Sequence, residues 1–352
     1  MKASKADTPC VLVDLDIVEN NLQAAQQLSE SMSLPLRPHI KTHKLPRFAK
    51  RQIELGARGI TCQKLGEAEV MAEAGIDDIF ISYNLIGVSK LKRLKALHEA
   101  ITISVTADNA FVVDGYGAMF NDGKHKLPVV IEIDTGGGRC GVQSAKKAVA
   151  LAKRIKAFKG LSFAGIMTYP PRGVMGEVNA SLSRIKEALL NEGLKVKRVS
   201  NGGTPDLKSA GEVTLATEHR PGTYIYNDLM QVSFGHCELS DCALTVLATV
   251  VSCPTEGRVV IDAGSKALAA DTCDAPGYGH VLEYPDAIVH ALYEEHGVLD
   301  FSNSEISPEV GDKVRIIPNH VCVVSNLFDS VHLMRNDIIE ETVDVAARGR
   351  VS

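Results

Sequence analysis

The sequence predicts a closed (β/α)8 barrel followed by a β-rich domain. Over the first two thirds of the chain, apolar runs of strand length alternate with segments of helical periodicity, which is typical of parallel βα units. Seven or eight such units precede Gly235, and that number favours a closed barrel over an open sheet. Beyond Gly235 the pattern changes to strands and turns. We expect a barrel domain over residues 16–235 and a β-rich domain over residues 236–352, and we expect the N-terminal strand 8–15 to belong to the β-rich domain.

Each strand is predicted from an apolar run between turn residues, and each helix from apolar residues three and four positions apart. The strands predicted before Gly235 are Val11–Asp14, Leu36–Ile40, Gly59–Cys62, Ile79–Tyr83, Ile101–Thr106, Pro128–Asp134, Leu161–Tyr169 and Val196–Ser200. The helices predicted there are Asp16–Ser29, Leu65–Ala74, Val88–Ala100, Ala145–Phe158 and Val178–Asn191. Beyond Gly235 the sequence predicts strands Ala243–Ser252, Arg258–Asp262 and Lys313–Val324, with one helix, Asp286–His296.

Composition excludes several classes of function. The net charge of the 352 residues is −5 with no basic run, which argues against nucleic acid as a partner. The longest apolar runs, such as 243–251, are too short to span a bilayer, and residues 1–8 lack the apolar core of a signal peptide. The eight cysteines form no Cys-x-x-Cys pair, so we expect no disulfide framework. These features indicate a cytoplasmic protein without a membrane partner.

A lysine follows the first predicted barrel strand. The segment Arg37–Lys44 reads Arg-Pro-His-Ile-Lys-Thr-His-Lys and places Lys41 directly after Ile40. In a βα barrel the chemistry lies at the C-terminal ends of the strands. A lysine that loses its proton there can form a Schiff base with an aldehyde cofactor. The alternative is an ordinary basic loop between a strand and a helix.

Two glycine-containing loops follow the last predicted barrel strands. They are Asn201-Gly202-Gly203-Thr204 and Gly222-Thr223. In this architecture the last loops commonly bind phosphate through exposed backbone N–H groups. Ordinary turn glycines are the alternative, and the presence of two such loops favours the phosphate site.

A further loop, Asp134–Gly141, contains three consecutive glycines and then Arg139. Glycines allow the backbone to approach a ligand closely, although Arg139 could also be a surface residue on a flexible loop.

His320 and Cys322 are two positions apart on the predicted strand Lys313–Val324. The period of two along a strand predicts that both side chains share one face. An imidazole and a thiolate are good ligands for a metal such as zinc. Two ligands are too few for a structural site, so water or substrate would have to complete the coordination. Ordinary strand residues are the alternative interpretation.

The motifs together resemble the D-threonine aldolase and D-serine dehydratase family, whose barrel is shared with alanine racemase. The resemblance runs over almost the whole chain in the family's order. It rests on Thr8–Asp16, Arg37–Lys44, Lys64–Glu69, Asp134–Val142, Asn201–Pro205, Asp262–Lys266 and Pro318–Cys322.

The resemblance implies pyridoxal phosphate as cofactor, with Lys41 as the Schiff-base lysine; Lys44, Lys64 and Lys266 are weaker candidates. It implies that Arg139 faces the pyridine nitrogen, which a permanently protonated guanidinium would keep unprotonated. The other cofactor-binding residues that it implies are Tyr169, Asn201, Gly202, Gly203, Thr204, Gly222, Thr223, Tyr224 and Tyr226.

The resemblance also implies a divalent metal on His320 and Cys322, with zinc favoured over manganese or magnesium because the thiolate is soft. Dehydratases of the family carry His-x-Cys at this place, whereas its aldolases tend to carry His-x-Asp. After Tyr169, where characterised members have a histidine, this chain reads Pro-Pro-Arg-Gly-Val-Met and has no histidine between His125 and His219. Tyr169 or a metal-bound water is expected to act in its place.

We expect a pyridoxal-phosphate- and metal-dependent lyase that cleaves a D-3-hydroxy amino acid in the manner of D-threonine aldolase. Dehydration to a 2-oxo acid and ammonia is a close alternative, and an amino-acid racemase is a third. A small pyridoxal-phosphate carrier is the non-enzyme alternative, although a single-domain carrier would lack the C-terminal domain. The resemblance implies a homodimer.

Overall fold

The computed structural model describes residues 1–123 and 125–352, which divide into two compact units. The barrel unit comprises Ala25–Lys41, Leu45–Gly222 and Arg350–Ser352. The β unit comprises Met1–Ala24, Thr42–Lys44 and Thr223–Gly349. Residues 223–235, placed in the barrel by the sequence, therefore pack with the β unit. The first strand of the chain is β1 (Cys10–Asp14) and its first α-helix is α1 (Leu15–Ser31), and the division falls within α1.

The barrel unit contains a seven-stranded parallel sheet and six α-helices. The first of these helices follows the extended segment that precedes the sheet strands, and each of the other five follows a strand. Its helices are α2 (Pro46–Glu54), α3 (Leu65–Glu73), α4 (Val88–Ala100), α5 (Ala110–Met119), α6 (Ala145–Ala157) and α7 (Met175–Asn191). Its strands, paired in chain order, are β2 (Ile60–Cys62), β3 (Asp78–Asn84), β4 (Thr102–Ala107), β5 (Leu127–Glu132), β6 (Leu161–Met167), β7 (Arg198–Gly202) and β8 (Glu218–Arg220). No helix of the described residues has both the length and the apolar character needed to cross a bilayer.

The extended segment 35–40 closes the sheet into a ring of eight. On one side Leu36 bridges His219 of β8, and on the other His39 bridges Thr61 of β2, both in parallel. The pairing stays at single bridges because Pro35 and Pro38 have no N–H to donate to a ladder. The predicted (β/α)8 barrel is confirmed, and its first strand is this proline-interrupted segment.

An ion-pair network ties the closing segment to the sheet. Buried Arg37 donates from Nε to Glu218 Oε2 at 3.0 Å and from Nη1 to Asp78 Oδ1 at 2.8 Å. Glu218 also accepts a hydrogen bond from Ser200 Oγ at 2.6 Å and lies 3.6 Å from Arg198 Nε. Burial alone would raise the pKa of Glu218, but Arg37 and Arg198 outweigh it, and the pKa is lowered.

The β unit is built on a nine-stranded, mostly antiparallel sheet. Besides β1, its strands are β9 (Leu244–Thr255), β10 (Arg258–Ile261), β11 (Gly279–Val281), β12 (Ile288–Leu292), β13 (Gly297–Asp300), β14 (Lys313–Pro318), β15 (Ser330–Arg335) and β16 (Ile338–Asp344). In spatial order the strands are β10-β13-β12-β11-β14-β9-β1-β15-β16, and a further β9–β10 pairing closes six of them into a barrel. Short helices α8 (Leu229–Ser233), α9 (Ser265–Leu268) and α10 (Val321–Leu327) complete the unit.

Two elements predicted for the β-rich region are wrong. The predicted helix Asp286–His296 is strand β12 and the turn after it, because Val289 is buried and pairs with Leu299 of β13. Sheet pairing here overrides a helical pattern. The predicted strand Lys313–Val324 ends at Pro318 and continues as α10. His320 is the residue before that helix and Cys322 is its second residue, so the strand argument for a shared face does not apply.

Removing the Arg37 guanidinium should strongly destabilise the barrel. An Arg37→Ala variant leaves the buried Glu218 carboxylate without its closest cationic partner, which we expect to lower the free energy of unfolding by about 3–5 kcal/mol. Because the folded pKa of Glu218 is lowered, this contribution is complete above about pH 4.3 and is lost as the pH falls further. Urea unfolding at neutral and acidic pH measures both.

The matched control is Lys153→Ala, which removes an exposed ion pair with Glu192 at 2.6 Å. Its expected cost is below about 1 kcal/mol. Equal costs for the two variants would contradict the assigned role of Arg37.

Candidate functional site

Lys41 lies at the end of the closing segment, within a short 3-10 turn, Ile40–Thr42. Its backbone N–H donates to His39 Nδ1 at 3.3 Å, and His39 Nε2 lies 3.0 Å from Gln63 Oε1. The side chain is half-buried, and within the described ranges its ammonium has no hydrogen-bond or ion-pair partner. Lys41 is therefore a strand-end amine that is available to react.

The three weaker candidate lysines are all engaged. Lys44 Nζ lies 3.4 Å from the Ala347 carbonyl oxygen, and Lys64 Nζ lies 3.8 Å from the centre of the Tyr83 ring. Hydrogen bonds to Glu294 and Glu295 raise the pKa of Lys266, which keeps it protonated. Availability of the amine thus favours Lys41.

The predicted phosphate loop is held in place by contacts within the barrel unit. Gly203 has a φ of +127°, a conformation that side chains rarely adopt. His219 Nε2 lies 2.9 Å from the Gly203 carbonyl oxygen, and the Gly222 N–H donates to Thr204 Oγ1 at 3.0 Å. The two predicted glycine loops therefore meet, as a phosphate cradle requires.

Asn201 lies at the end of β7 beside this loop and is buried. Its Nδ2 points to Met175 Sδ at 3.7 Å, and its Oδ1 has no hydrogen-bond partner in the described part of the chain. A buried polar atom without a partner is costly, so a polar group of a ligand would fit here.

The glycines of the Asp134–Gly141 loop leave room for another loop of the protein. A Cβ on Gly136 would lie 3.3 Å from Pro171 Cγ, and one on Gly137 would lie 3.2 Å from the Tyr169 carbonyl oxygen. Gly136 also has a φ of +116°. The close approach expected for a ligand is made instead by the Tyr169-Pro170-Pro171 segment.

Arg139 and Tyr169 form an open pair. The Arg139 side chain is 61% exposed, and its guanidinium lies 3.9 Å from Glu132 Oε1 and 5.0 Å from the centre of the Tyr169 ring. Tyr169 is 45% exposed, and its ring carbon Cε2 would lie 3.6 Å from a Cβ on Gly203. An exposed phenol thus lies beside the glycine loop, with an exposed guanidinium over its ring.

Two residues in the barrel were not singled out from the sequence. His219 fixes the Gly203 carbonyl, as described above, and buried Arg220 lies against Gly202. Arg220 donates to Ser200 Oγ at 2.6 Å and to the Thr168 carbonyl oxygen at 2.8 Å. Burial lowers the pKa of Arg220 to about 10, although the carboxylates of Glu218 and Glu132 act to raise it. The alternation of charged residues along β8 was the available sequence signal.

Thr223, Tyr224 and Tyr226 lie in the β unit on a 3-10 turn and the residue after it. The Tyr226 N–H donates to the Thr223 carbonyl oxygen at 3.0 Å. Both tyrosines are buried, and burial raises the pKa of Tyr226 well above its ordinary value. Tyr226 therefore stays neutral, as a hydrogen-bond donor.

His320 and Cys322 lie together at the start of α10, with the Cys322 side chain within hydrogen-bonding reach of the imidazole. That contact raises the pKa of His320 to about 9. The thiol lies 3.1 Å from Thr42 Oγ1 and 3.7 Å from Thr223 Oγ1. In the chain these two threonines directly follow Lys41 and Gly222.

The donor set at α10 fits a two-ligand metal site. Among residues 1–123 and 125–352, no cluster of three or more histidine, cysteine or acidic side chains could hold a metal ion. One imidazole and one thiol in contact match a soft divalent metal that keeps open positions for water or substrate.

Comparison with known proteins identifies the family. Residues 13–229 match the family described as "Alanine racemase, N-terminal domain", and residues 243–334 match "Putative serine dehydratase domain". The chain is 33% identical to a D-threonine aldolase of Arthrobacter sp over 98% of its own length and 94% of that protein. The chain belongs to the D-threonine aldolase and D-serine dehydratase family.

Solved structures agree with this membership. The D-threonine aldolase of Filomicrobium marinum is 31% identical, with a TM-score of 0.88 over 99% of this chain and 98% of that one. The D-threo-3-hydroxyaspartate dehydratase of Delftia sp. HT23 is 28% identical, with a TM-score of 0.89 over 97% and 98%. A cysteine-to-alanine mutant of a dehydratase of that name is known in a metal-free form.

The protein is thus an enzyme of a pyridoxal-phosphate-dependent lyase family that has metal-dependent members. Its fold is the barrel and β-domain combination of alanine racemase. The carrier interpretation is set aside, because the family matches extend over both parts of the chain.

Gly203→Ala should weaken cofactor binding. A side chain at a φ of +127° is strained by about 1–3 kcal/mol, and relief of that strain would move the loop away from the cofactor phosphate. We expect the dissociation constant for pyridoxal phosphate, measured by visible absorbance, to rise about tenfold. Gly193→Ala is the matched control, because Gly193 also has a positive φ of +69° but lies in open space. Equal affinities of the two variants would contradict the phosphate assignment.

Proposed function

We propose that the protein cleaves a D-3-hydroxy amino acid by a retro-aldol reaction, giving glycine and an aldehyde, as expected of D-threonine aldolase. The observation that carries the proposal is the half-buried Lys41 amine, which has no partner among the described residues and lies in the same unit as Gly203, Thr204 and Gly222. The 33% identity to a D-threonine aldolase over 98% of the chain supports it.

Separate sets of residues would bind the two expected cofactors, pyridoxal phosphate and a divalent metal. Lys41 Nζ would hold pyridoxal phosphate covalently, and Gly203, Thr204 and Gly222 would bind its phosphate. His320 and Cys322 would hold a divalent metal, and zinc is favoured because a thiolate is a soft ligand. When bound, pyridoxal phosphate withdraws electrons from the substrate Cα and the metal polarises the β-hydroxyl group.

Two proton transfers then fall to side chains. Cleavage of the Cα–Cβ bond requires that the β-hydroxyl lose its proton, and the candidate acceptor is the exposed Tyr169 Oη, acting as the phenolate, in the loop where this chain lacks a histidine. The Cα of the glycine product must then gain a proton, which Lys41 Nζ can donate. Arg139, stacked on the Tyr169 ring, would orient the phenol.

Dehydration is the second candidate, and the Cys322 thiol favours it. In that reaction Lys41 Nζ removes the Cα proton and hydroxide leaves Cβ, giving a 2-oxo acid and ammonia. The His-x-Cys pair is the one expected of the dehydratases, and a cysteine mutant of a dehydratase relative exists in a metal-free form. A racemase would need no metal pair and is the third candidate. The homodimer and the cytoplasmic location stay predictions.

Product analysis with D-threonine, pyridoxal phosphate and zinc or manganese tests the proposal. We expect glycine and acetaldehyde, and no visible cofactor absorbance or turnover after Lys41→Ala. Lys266→Ala is the control, since that exposed lysine is bound to Glu294 and Glu295. Ammonia with 2-oxobutyrate would replace the aldolase by the dehydratase, and threonine epimers would indicate a racemase.

Metal removal should stop turnover and leave the cofactor in place. Dialysis against a chelator, or His320→Ala, should lower kcat at least about a hundredfold, because a charge-stabilising metal contributes several kcal/mol, while the visible absorbance persists. His290→Ala, an exposed histidine on β12, is the matched control. Full activity after verified metal removal would rule out a catalytic metal on His320 and Cys322.

A further inference from the structure

A carboxylate far away in the sequence contacts the predicted metal-binding histidine. Asp271 Oδ1 lies 3.0 Å from His320 Nδ1, and the two residues are 49 positions apart. Both side chains are partly buried, at 36% and 29% exposure. The sequence analysis did not single out Asp271.

The loop that carries Asp271 is held against the residue before His320. Asn319 is buried, and its Nδ2 donates to the carbonyl oxygens of Asp271 and Gly277, each at 2.9 Å. This clamp uses the backbone of Asp271, so it survives substitution of the Asp271 side chain. The carboxylate position is therefore set by the fold and is independent of its contact with His320.

The backbone next to the histidine is fixed as well. Buried Asp228 accepts hydrogen bonds from the backbone N–H groups of Gln231 at 2.9 Å and Val321 at 3.1 Å. Val321 is the first residue of α10 and follows His320 directly. Asp228 thus holds the backbone directly after His320, while Asp271 contacts the His320 ring.

The contact with Asp271 decides which ring nitrogen is available. An ionised carboxylate only accepts hydrogen bonds, so Nδ1 must carry the proton. In the neutral ring this leaves the lone pair on Nε2. A carboxylate bound to the second nitrogen of a metal-binding histidine fixes the tautomer and strengthens the ligand.

We infer that Asp271 is a positioning residue that holds His320 in its Nδ1–H tautomer and thereby presents Nε2 to the metal. The inference rests on the proposed metal site at His320 and Cys322. Asp271 does not bind the metal itself, because its oxygen is engaged by the far side of the ring.

Zinc affinity of the full-length, cofactor-loaded protein tests this role without reference to turnover. We expect Asp271→Ala to raise the zinc dissociation constant about 10–100-fold, as removal of such a carboxylate typically does, with unchanged visible cofactor absorbance. Asp271→Asn, which keeps an acceptor oxygen without the charge, should show a smaller rise. Asp274→Ala is the matched control, since Asp274 is an exposed acid on the same loop. Nitrogen-15 histidine spectra of the metal-free protein, recorded well above pH 9 where the ring is neutral, should show His320 as the Nδ1–H tautomer in the wild type and a loss of that preference in Asp271→Ala.

The outcomes separate the inference from the proposed function. If His320→Ala abolishes zinc binding and Asp271→Ala leaves the affinity and the tautomer unchanged, the inference is overturned and the metal site stands. If zinc binding is indifferent to His320→Ala, both are overturned. Weakened binding in Asp271→Ala and wild-type binding in Asp274→Ala would support both.

Discussion

The barrel unit depends on the seam at which segment 35–40 closes the sheet. Two prolines leave this segment only single bridges to its neighbours, so side-chain ion pairs supply what the backbone ladder lacks. Arg37 joins Glu218 of β8 and Asp78 of β3, and its backbone N–H also donates to His219. The seam positions Lys41, four residues further on, and the same strand β8 leads to Gly222. The candidate Schiff-base lysine and the predicted phosphate loop are thereby anchored to one buried network.

That network makes the barrel interior unusually polar. Barrels of this kind are generally filled by layers of branched aliphatic side chains, whereas here Arg198 and Arg220 both lie over the Phe80 ring, at 5.4 and 5.8 Å. Buried ion pairs are weak evidence for stability, but removal of one partner is costly. The arrangement therefore restricts the permitted substitutions beneath the loops more than an aliphatic core would. The glycines of the 134–141 loop in turn admit the Tyr169-Pro170-Pro171 segment at close range.

In the β unit, too, the residues around α10 have separate structural roles. His320 and Cys322 are the predicted metal ligands, and polar groups of the described residues contact them or the backbone beside them. Asp228 holds the helix start, Asp271 holds the ring, and Thr42 Oγ1 lies against the thiol. A site with two protein ligands leaves coordination positions open to substrate oxygen, which suits a reaction at a β-hydroxyl group. The same openness suits cleavage and dehydration, so the choice between them depends on the proton acceptor near Cβ.

The sequence by itself determined the barrel, the β-rich second part, the family and the candidate chemistry, because apolar periodicity and local motifs depend only on residues that are close together in the chain. It did not predict helix α2, helix α5 or strand β8, and it assigned the wrong structure to residues 286–296 and 319–324. There, pairing of Val289 with Leu299 and capping of Val321 by Asp228 override the local pattern. Only the tertiary structure joined Arg37 to Glu218, 181 residues away, and Asp271 to His320, 49 residues away. Such contacts depend on where strands and loops meet in space, and the local hydrophobic periodicity of the sequence does not specify those positions.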